Sequence, residues 1–165
     1  MLLDLRGIVS VPGGRVEFDY EPDMSGAPFG SIIRIKESPR AVGNVTNSAG
    51  VLTFFADLDA ICVCVCARCL CEFEYPVHKK IKAYLNDGEQ GQNPDGYTLR
   101  GDMADADEII VTEFILSMDD RLLCRSECAG LCQSCGSDLN YGPCSCEKQP
   151  DPRLAVLAQL VDVEL

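Results

Sequence analysis

The feature that most constrains this chain is the stretch from Cys124 to Cys146, CRSECAGLCQSCGSDLNYGPCSC, which holds six of the eleven cysteines in 23 residues. It has almost no apolar residues to bury, so something other than hydrophobic packing must hold it in shape. Cys132-Gln-Ser-Cys135 aims two sulfurs at one point, and Gly136 lets the backbone tighten behind them. Cys144-Ser-Cys146 can supply two more. Four thiolates about 2.3 Å from a zinc ion, tetrahedral and closed to water, make a structural site. Such a site contributes roughly 10 kcal/mol or more of coupled folding free energy. Zn2+ held by Cys132, Cys135, Cys144 and Cys146 is therefore the expected cofactor site. Disulfides, an iron–sulfur cluster and idle thiols are the competing readings.

Compartment bears on that choice. The chain has no apolar run near the length of a membrane span, and its opening, MLLDLRGIVSVPGG, lacks the basic and long apolar regions of a signal peptide. A cytoplasmic location is expected, where clustered thiols stay reduced and metal binding is the better reading. An odd number of cysteines also prevents complete pairing within the chain.

Upstream, the chain reads as strands. Residues 1–20 carry apolar positions without helical spacing, a Pro12-Gly13-Gly14 turn, and alternation over Arg15–Tyr20. Short strands follow at 31–36 and 41–48, with a hairpin turn at Asn47–Gly50. Residues 51–66 are the longest strand candidate. Their even face, Leu52, Phe54, Ala56, Leu58, Ala60, Cys62, Cys64 and Cys66, is wholly apolar, so Cys62 and Cys64 read as small core hydrophobes. Cys66-Ala-Arg-Cys69 is different: a second C-x2-C at the tip of a long hairpin whose return strand runs over 73–82. It supplies two ligands and needs partners, and Cys124 and Cys128 are the spare pair. A second site from Cys66, Cys69, Cys124 and Cys128 is one reading, and reduced thiols at a hairpin tip are the other.

Residues 86–103 are polar and rich in Gly, Asn and Asp, and read as a mobile surface loop. Asp102 to Asp107 place acids at a helix start, and Ile110, Phe114 and Met118 give an apolar face to a helix over about 104–118. Asp151-Pro152 marks the start of a short C-terminal helix. The expected fold class is α+β: an antiparallel β-rich body with one packed helix (1–121), a cysteine-rich, zinc-ribbon-like module (122–150) and a C-terminal helix (151–165).

Charge narrows the function. The net charge of −12 leaves little of the counterion-release term that dominates sequence-independent nucleic-acid binding. Contact with basic proteins fits better, or with RNA through a local patch. The candidates for such a patch are Arg34, Lys36 and Arg40, or Lys79, Lys80 and Lys82. No phosphate loop, dinucleotide fingerprint or nucleophile elbow is present, and His78 is the only histidine, so nothing in the sequence supports a catalytic site.

Several of these residues together resemble one family. Cys66-Ala-Arg-Cys69-Leu70, Leu123-Cys124, Cys128-Ala-Gly-Leu-Cys132, Cys135-Gly136, Asp138-Leu-Asn140, Cys144-Ser-Cys146 and Asp151-Pro-Arg-Leu154 look like the YceD family, the bacterial large ribosomal RNA subunit accumulation proteins. The resemblance is close from about residue 60 onward. It implies a cytoplasmic, non-catalytic ribosome-biogenesis factor that supports accumulation of 23S ribosomal RNA. The implied partner is a ribosomal protein or an rRNA-processing factor, with local contact to ribosomal RNA. Some members lack the C-terminal cysteines, which implies a structural role for the metal module. The family pattern also implies a proline after the apolar helix, where this chain has Met118-Asp119-Asp120. The alternatives are a protein-interaction adaptor or a thiol or metal sensor with no ribosomal role.

Overall fold

Residues 51 to 65 alternate between two faces, and the computed structural model, which describes residues 1–86, 93–119 and 121–146, folds them as a single strand. The elements before it are β1 (Leu2–Asp4), β2 (Arg15–Tyr20), β3 (Ile32–Ile35) and β4 (Arg40–Ser48), and the long strand is β5 (Val51–Val65). After it come β6 (Glu72–Asn86), β7 (Tyr97–Thr98), β8 (Met103–Asp105) and α1 (Ala106–Ser117). The main sheet runs β2-β4-β5-β6-β7, with β3 also pairing β5, and β1 and β8 form a separate two-stranded sheet. All pairings are antiparallel except β6 with β7.

The alternation decides which face is covered. Leu52, Phe54, Ala56, Leu58, Ala60, Cys62 and Cys64 are all buried, with Ile81, Ala83 and Leu85 from β6. Ile109, Ile110 and Phe114 of α1 join the same core. Cys62 and Cys64 are fully buried there, and burial pushes both thiols up, Cys62 to about 11. The outer face of the same strands stays open. Phe55 stands opposite Lys82, Asp57 opposite Lys80 and Asp59 opposite His78.

β5 and β6 are the elements that position the thiols. β4 pairs with β5 from Val51 to Asp59, and β3 takes over from Cys62 to Cys64. At about 3.3 Å per residue, a 15-residue strand spans roughly 50 Å, so the hairpin tip lies far from the turn at Ala49-Gly50.

Three expectations are adjusted. Only Leu2–Asp4 of the opening segment is strand. The Leu5 carbonyl accepts from the Ile8 and Val9 amides, and this turn sends Leu5 and Ile8 into the core without alternation. The stretch expected as a mobile loop contains β7 and ends on the first residue of β8, and Leu99 between them is buried with its amide donating to the Asn86 carbonyl. The helix starts at Ala106, since Met103–Asp105 are committed to pairing with β1. The Asp105 side chain caps it by accepting from the Glu108 amide, and Asp107 and Glu108 sit in its first turn. It ends without a proline, because Met118 turns extended and Lys79 Nζ donates to the Ser117 carbonyl at 2.7 Å. The expected C-terminal helix over 151–165 lies outside the described residues. No helix among the described residues is long and apolar enough to cross a membrane.

Cys62 therefore belongs to packing. Cys62→Ala should lower stability by about 1–2 kcal/mol in urea unfolding, the scale of a small buried void, and leave metal content by elemental analysis unchanged.

Candidate metal centres

Two turns of the same design carry the first cysteines of each group. In the hairpin tip, the Leu70 amide donates to the Cys66 carbonyl and the Cys66 amide to the Cys71 carbonyl. In the tail, the Gly136 amide donates to the Cys132 carbonyl and the Cys132 amide to the Ser137 carbonyl. The fifth position of each turn has positive φ, +60° at Leu70 and +73° at Gly136. Glycine adopts that conformation freely, whereas a leucine there is strained by roughly 1–2 kcal/mol. In the sequence only the shared C-x2-C spacing shows this repetition, because the two turns have no other residue in common.

The turns bring the sulfurs into two groups of four. Cys66, Cys69, Cys124 and Cys128, here the hairpin group, have all Sγ atoms within 4.8 Å of one another. Cys132, Cys135, Cys144 and Cys146, the tail group, meet the same limit. Sγ separations are 3.7 Å for Cys66–Cys128, 3.7 Å for Cys69–Cys124 and 3.4 Å for Cys132–Cys144. Four sulfurs each about 2.3 Å from one central ion stand about 3.8 Å apart in a tetrahedron, so both groups have the size that a metal ion requires. All eleven cysteines are free thiols. Cys62 and Cys64 belong to neither group. Cys71 is exposed and also outside the groups, with its Sγ 3.2 Å from that of Cys69.

The hairpin group is the more enclosed. Cys66, Cys69 and Cys128 form a small buried cluster with Phe73, Leu123 and Leu131 packed on it. The Ala67 amide donates to the Leu122 carbonyl and Arg68 Nη1 to the Cys128 carbonyl at 2.9 Å. The segment expected as a separate module thus reaches back to the hairpin tip through two cysteines and these bonds. The tail group is open by comparison, with Cys135 exposed and the other three half-buried.

Electrostatics divides the protons unequally within each group. Burial opposes ionisation of Cys66, but the backbone amides of Cys124, Cys69 and Arg68 outweigh it and bring the thiol down to about 6. The Asn140 amide group lowers Cys128. The Cys71 amide pulls Cys69 down, but bonds among the sulfurs and burial leave it well above the usual thiol range. Burial pushes Cys124 up to about 11. In the tail, the amides of Cys135 and Ser134 bring Cys132 down to about 6, and Ser137 lowers Cys135. Bonding to Cys135 and burial push Cys146 up to about 12. Four thiolates cannot crowd together without a cation to offset their repulsion, so each group mixes lowered with raised thiols. The donor set is all sulfur and soft, which suits zinc and other thiophilic metals and not calcium or magnesium.

The basic candidates are scattered by the fold. Lys36 pairs with Glu74 at 2.7 Å, and Arg40 with Asp19 through two bonds at 2.6 and 2.9 Å. Lys79 is used at the end of α1. Among the described residues Arg34, Lys80 and Lys82 form no ion pair. Lys80 and Lys82 share the outer face of β6 with Tyr84, and Lys82 Nζ lies 5.3 Å from that ring's centre. Sequence reasoning missed Asn140 and Arg68, which bond to Cys128 without being ligands; both lie in the quoted motifs, but a donor role has no spacing signal.

A family model described as Large ribosomal RNA subunit accumulation protein YceD matches residues 56–161, well over half of the chain. The match begins inside β5 and takes in every cysteine. No curated protein and no solved structure matches the chain.

Elemental analysis of the protein purified under reducing conditions should find two metal ions per chain, with Cys66→Ser and Cys132→Ser each losing one. Cys66 and Cys132, at about 6, are mostly ionised at pH 7, whereas the raised thiols Cys69, Cys124 and Cys146 must lose protons to bind. Metal uptake at pH 7 should therefore release protons, measurable by calorimetry in buffers of different ionisation enthalpy. Affinity should fall as pH drops, and more steeply below about 6, where Cys66 and Cys132 also protonate.

Proposed function

We propose, from the premise that this chain belongs to the YceD family of large ribosomal RNA subunit accumulation proteins, that it is a non-catalytic ribosome-biogenesis factor with structural zinc centres. The family match is the observation that carries this reading. Zinc is the metal favoured by the sulfur groups. Each group is compact enough to enclose one ion, whereas a cluster of several irons and sulfides would hold its thiolates further apart. Ligands would be Cys132, Cys135, Cys144 and Cys146 in one centre and Cys66, Cys69, Cys124 and Cys128 in the other. Zinc supplies no redox chemistry there; it draws distant segments together and fixes them.

The expected surroundings are the cytoplasm, where such thiols stay reduced. With a net charge of −12, the chain suits a basic ribosomal protein or a processing enzyme bound to pre-ribosomal RNA. Direct RNA contact is local, through Lys80 and Lys82 with Arg34 as an outlier, because Lys36, Arg40 and Lys79 are already engaged within the fold. Tyr84 beside Lys82 offers a ring on which a base can stack.

A second reading, a thiol-based sensor, draws on the exposed Cys71 sulfur 3.2 Å from Cys69. A peroxide would take two electrons from the pair, forming a disulfide, yielding water and removing one ligand from the hairpin centre. Full thiol counts after peroxide treatment would discard it.

Co-sedimentation with precursor large-subunit particles across a salt series tests the main reading. The protein should travel with the particles. Lys80→Ala with Lys82→Ala should flatten the salt slope by about 1.5, two phosphate contacts' worth. Absence from the particles would overturn the ribosomal role, and an unchanged slope would remove these lysines from it.

A further inference from the structure

Asn140 is a residue of the tail loop whose side chain serves the other group of sulfurs. It lies in the 3-10 turn Leu139–Tyr141, between Cys135 and Cys144. Its Nδ2 donates to Cys128 Sγ at 3.4 Å, and its Oδ1 accepts the Ala129 amide at 2.8 Å. The Ala129 amide can only donate, so the oxygen must face it and the nitrogen must face the sulfur, which fixes the orientation of the amide group. Asp138 Oδ1 holds the same nitrogen at 2.6 Å and the Asn140 backbone amide at 2.9 Å.

The backbone follows the same path. The Leu139 amide donates to the Gly130 carbonyl at 2.9 Å, and Leu131 pairs with Asp138 as an isolated bridge. The Leu131 amide donates to the Arg68 carbonyl at 3.2 Å, carrying the connection into the hairpin tip. Gly130 permits this approach. Its φ is +74°, and a Cβ at that position would stand 3.0 Å from the Arg68 carbonyl oxygen.

From this geometry we propose that the two groups take up metal as one cooperative unit, with Asn140 as the positioning residue that couples them. This rests on the reading of both groups as metal centres. Ligation of Cys135 and Cys144 to one ion closes the loop between them and seats Asn140. The seated amide then donates to Cys128, as donors behind a ligand do when they orient it, an effect typically worth 10–100-fold in metal affinity. Coupling is reciprocal, so loading of the hairpin centre strengthens the tail centre by the same factor.

The test is titration of the full reduced, metal-free chain with Co2+, read by thiolate-to-metal absorption, with Zn2+ affinities from chelator competition. Cys66→Ser and Cys132→Ser assign the signal of each centre. Wild type should fill both in one phase, and Cys132→Ser should weaken the hairpin centre by about 10-fold or more. Asn140→Asp keeps the acceptor for the Ala129 amide but cannot donate to the sulfur, and Asn140→Ala removes both without adding charge. Each should split the titration into two phases, each at the affinity its centre shows when Cys66→Ser or Cys132→Ser disables the other. Two bound ions filling independently in wild type, or Asn140 variants that titrate like wild type, would overturn the coupling and leave the metal reading standing. No uptake by wild type would overturn both.

Discussion

Eight sulfurs gathered into two tetrahedron-sized groups are the constraint on which the second half of this structure depends. A thiol is a poor hydrogen-bond partner and a small hydrophobe, so four of them close together add little to stability as they stand. As thiolates they repel. Each group mixes lowered and raised thiols, the compromise such a crowd must reach without a cation, and backbone amides already lower Cys66 and Cys132. One divalent ion converts the arrangement from tolerated to strongly favoured. If both groups hold metal, the shape of residues 122–146 follows from that conversion, since past Leu122 its buried apolar cluster consists of little more than Cys128 and its neighbours.

The β-rich body acts as the arm that presents the first pair of sulfurs. Alternation in β5 and β6 buries one face under α1 and the β1–β8 pair, and the hairpin carries Cys66 and Cys69 beyond β3. A single strand therefore holds cysteines with two unlike roles. Cys62 and Cys64 point into the apolar core, while Cys66, two residues on, begins the turn that faces Cys124 and Cys128. The outer face of the same hairpin stays solvent-facing and carries Lys80 and Lys82, so the cysteine-rich end and the basic face occupy separate parts of the molecule.

The grouping of the tail cysteines was legible because the four lie within 15 residues and each pair has a turn's spacing. β5 was legible because its period-2 pattern is long and its apolar face unbroken. The grouping of Cys66 and Cys69 with Cys124 and Cys128 could be reached only by matching two spare pairs and stayed one of two readings, since spacing says nothing about residues 55 or more positions apart. The opening segment misled because Leu5 and Ile8 reach the core through a turn, which leaves apolar residues without a strand. The basic patch looked larger in the sequence than in the fold: Glu74 and Asp19 neutralise Lys36 and Arg40, and a helix end takes up Lys79. Asn140 stood in a quoted motif, but its role carried no signal, because an asparagine that supports a sulfur looks like any loop asparagine.

Amide hydrogen exchange across residues 122–146, before and after metal is stripped with a chelator under reducing conditions, tests most directly the claim that cations and not apolar packing order this segment. The account predicts protected amides in the metal-loaded chain at Cys66, Cys132, Gly136 and Leu139, all hydrogen-bonded here. Stripping should abolish that protection while β4, β5 and β6 keep theirs. Protection over 122–146 that survives complete removal of metal would contradict the account.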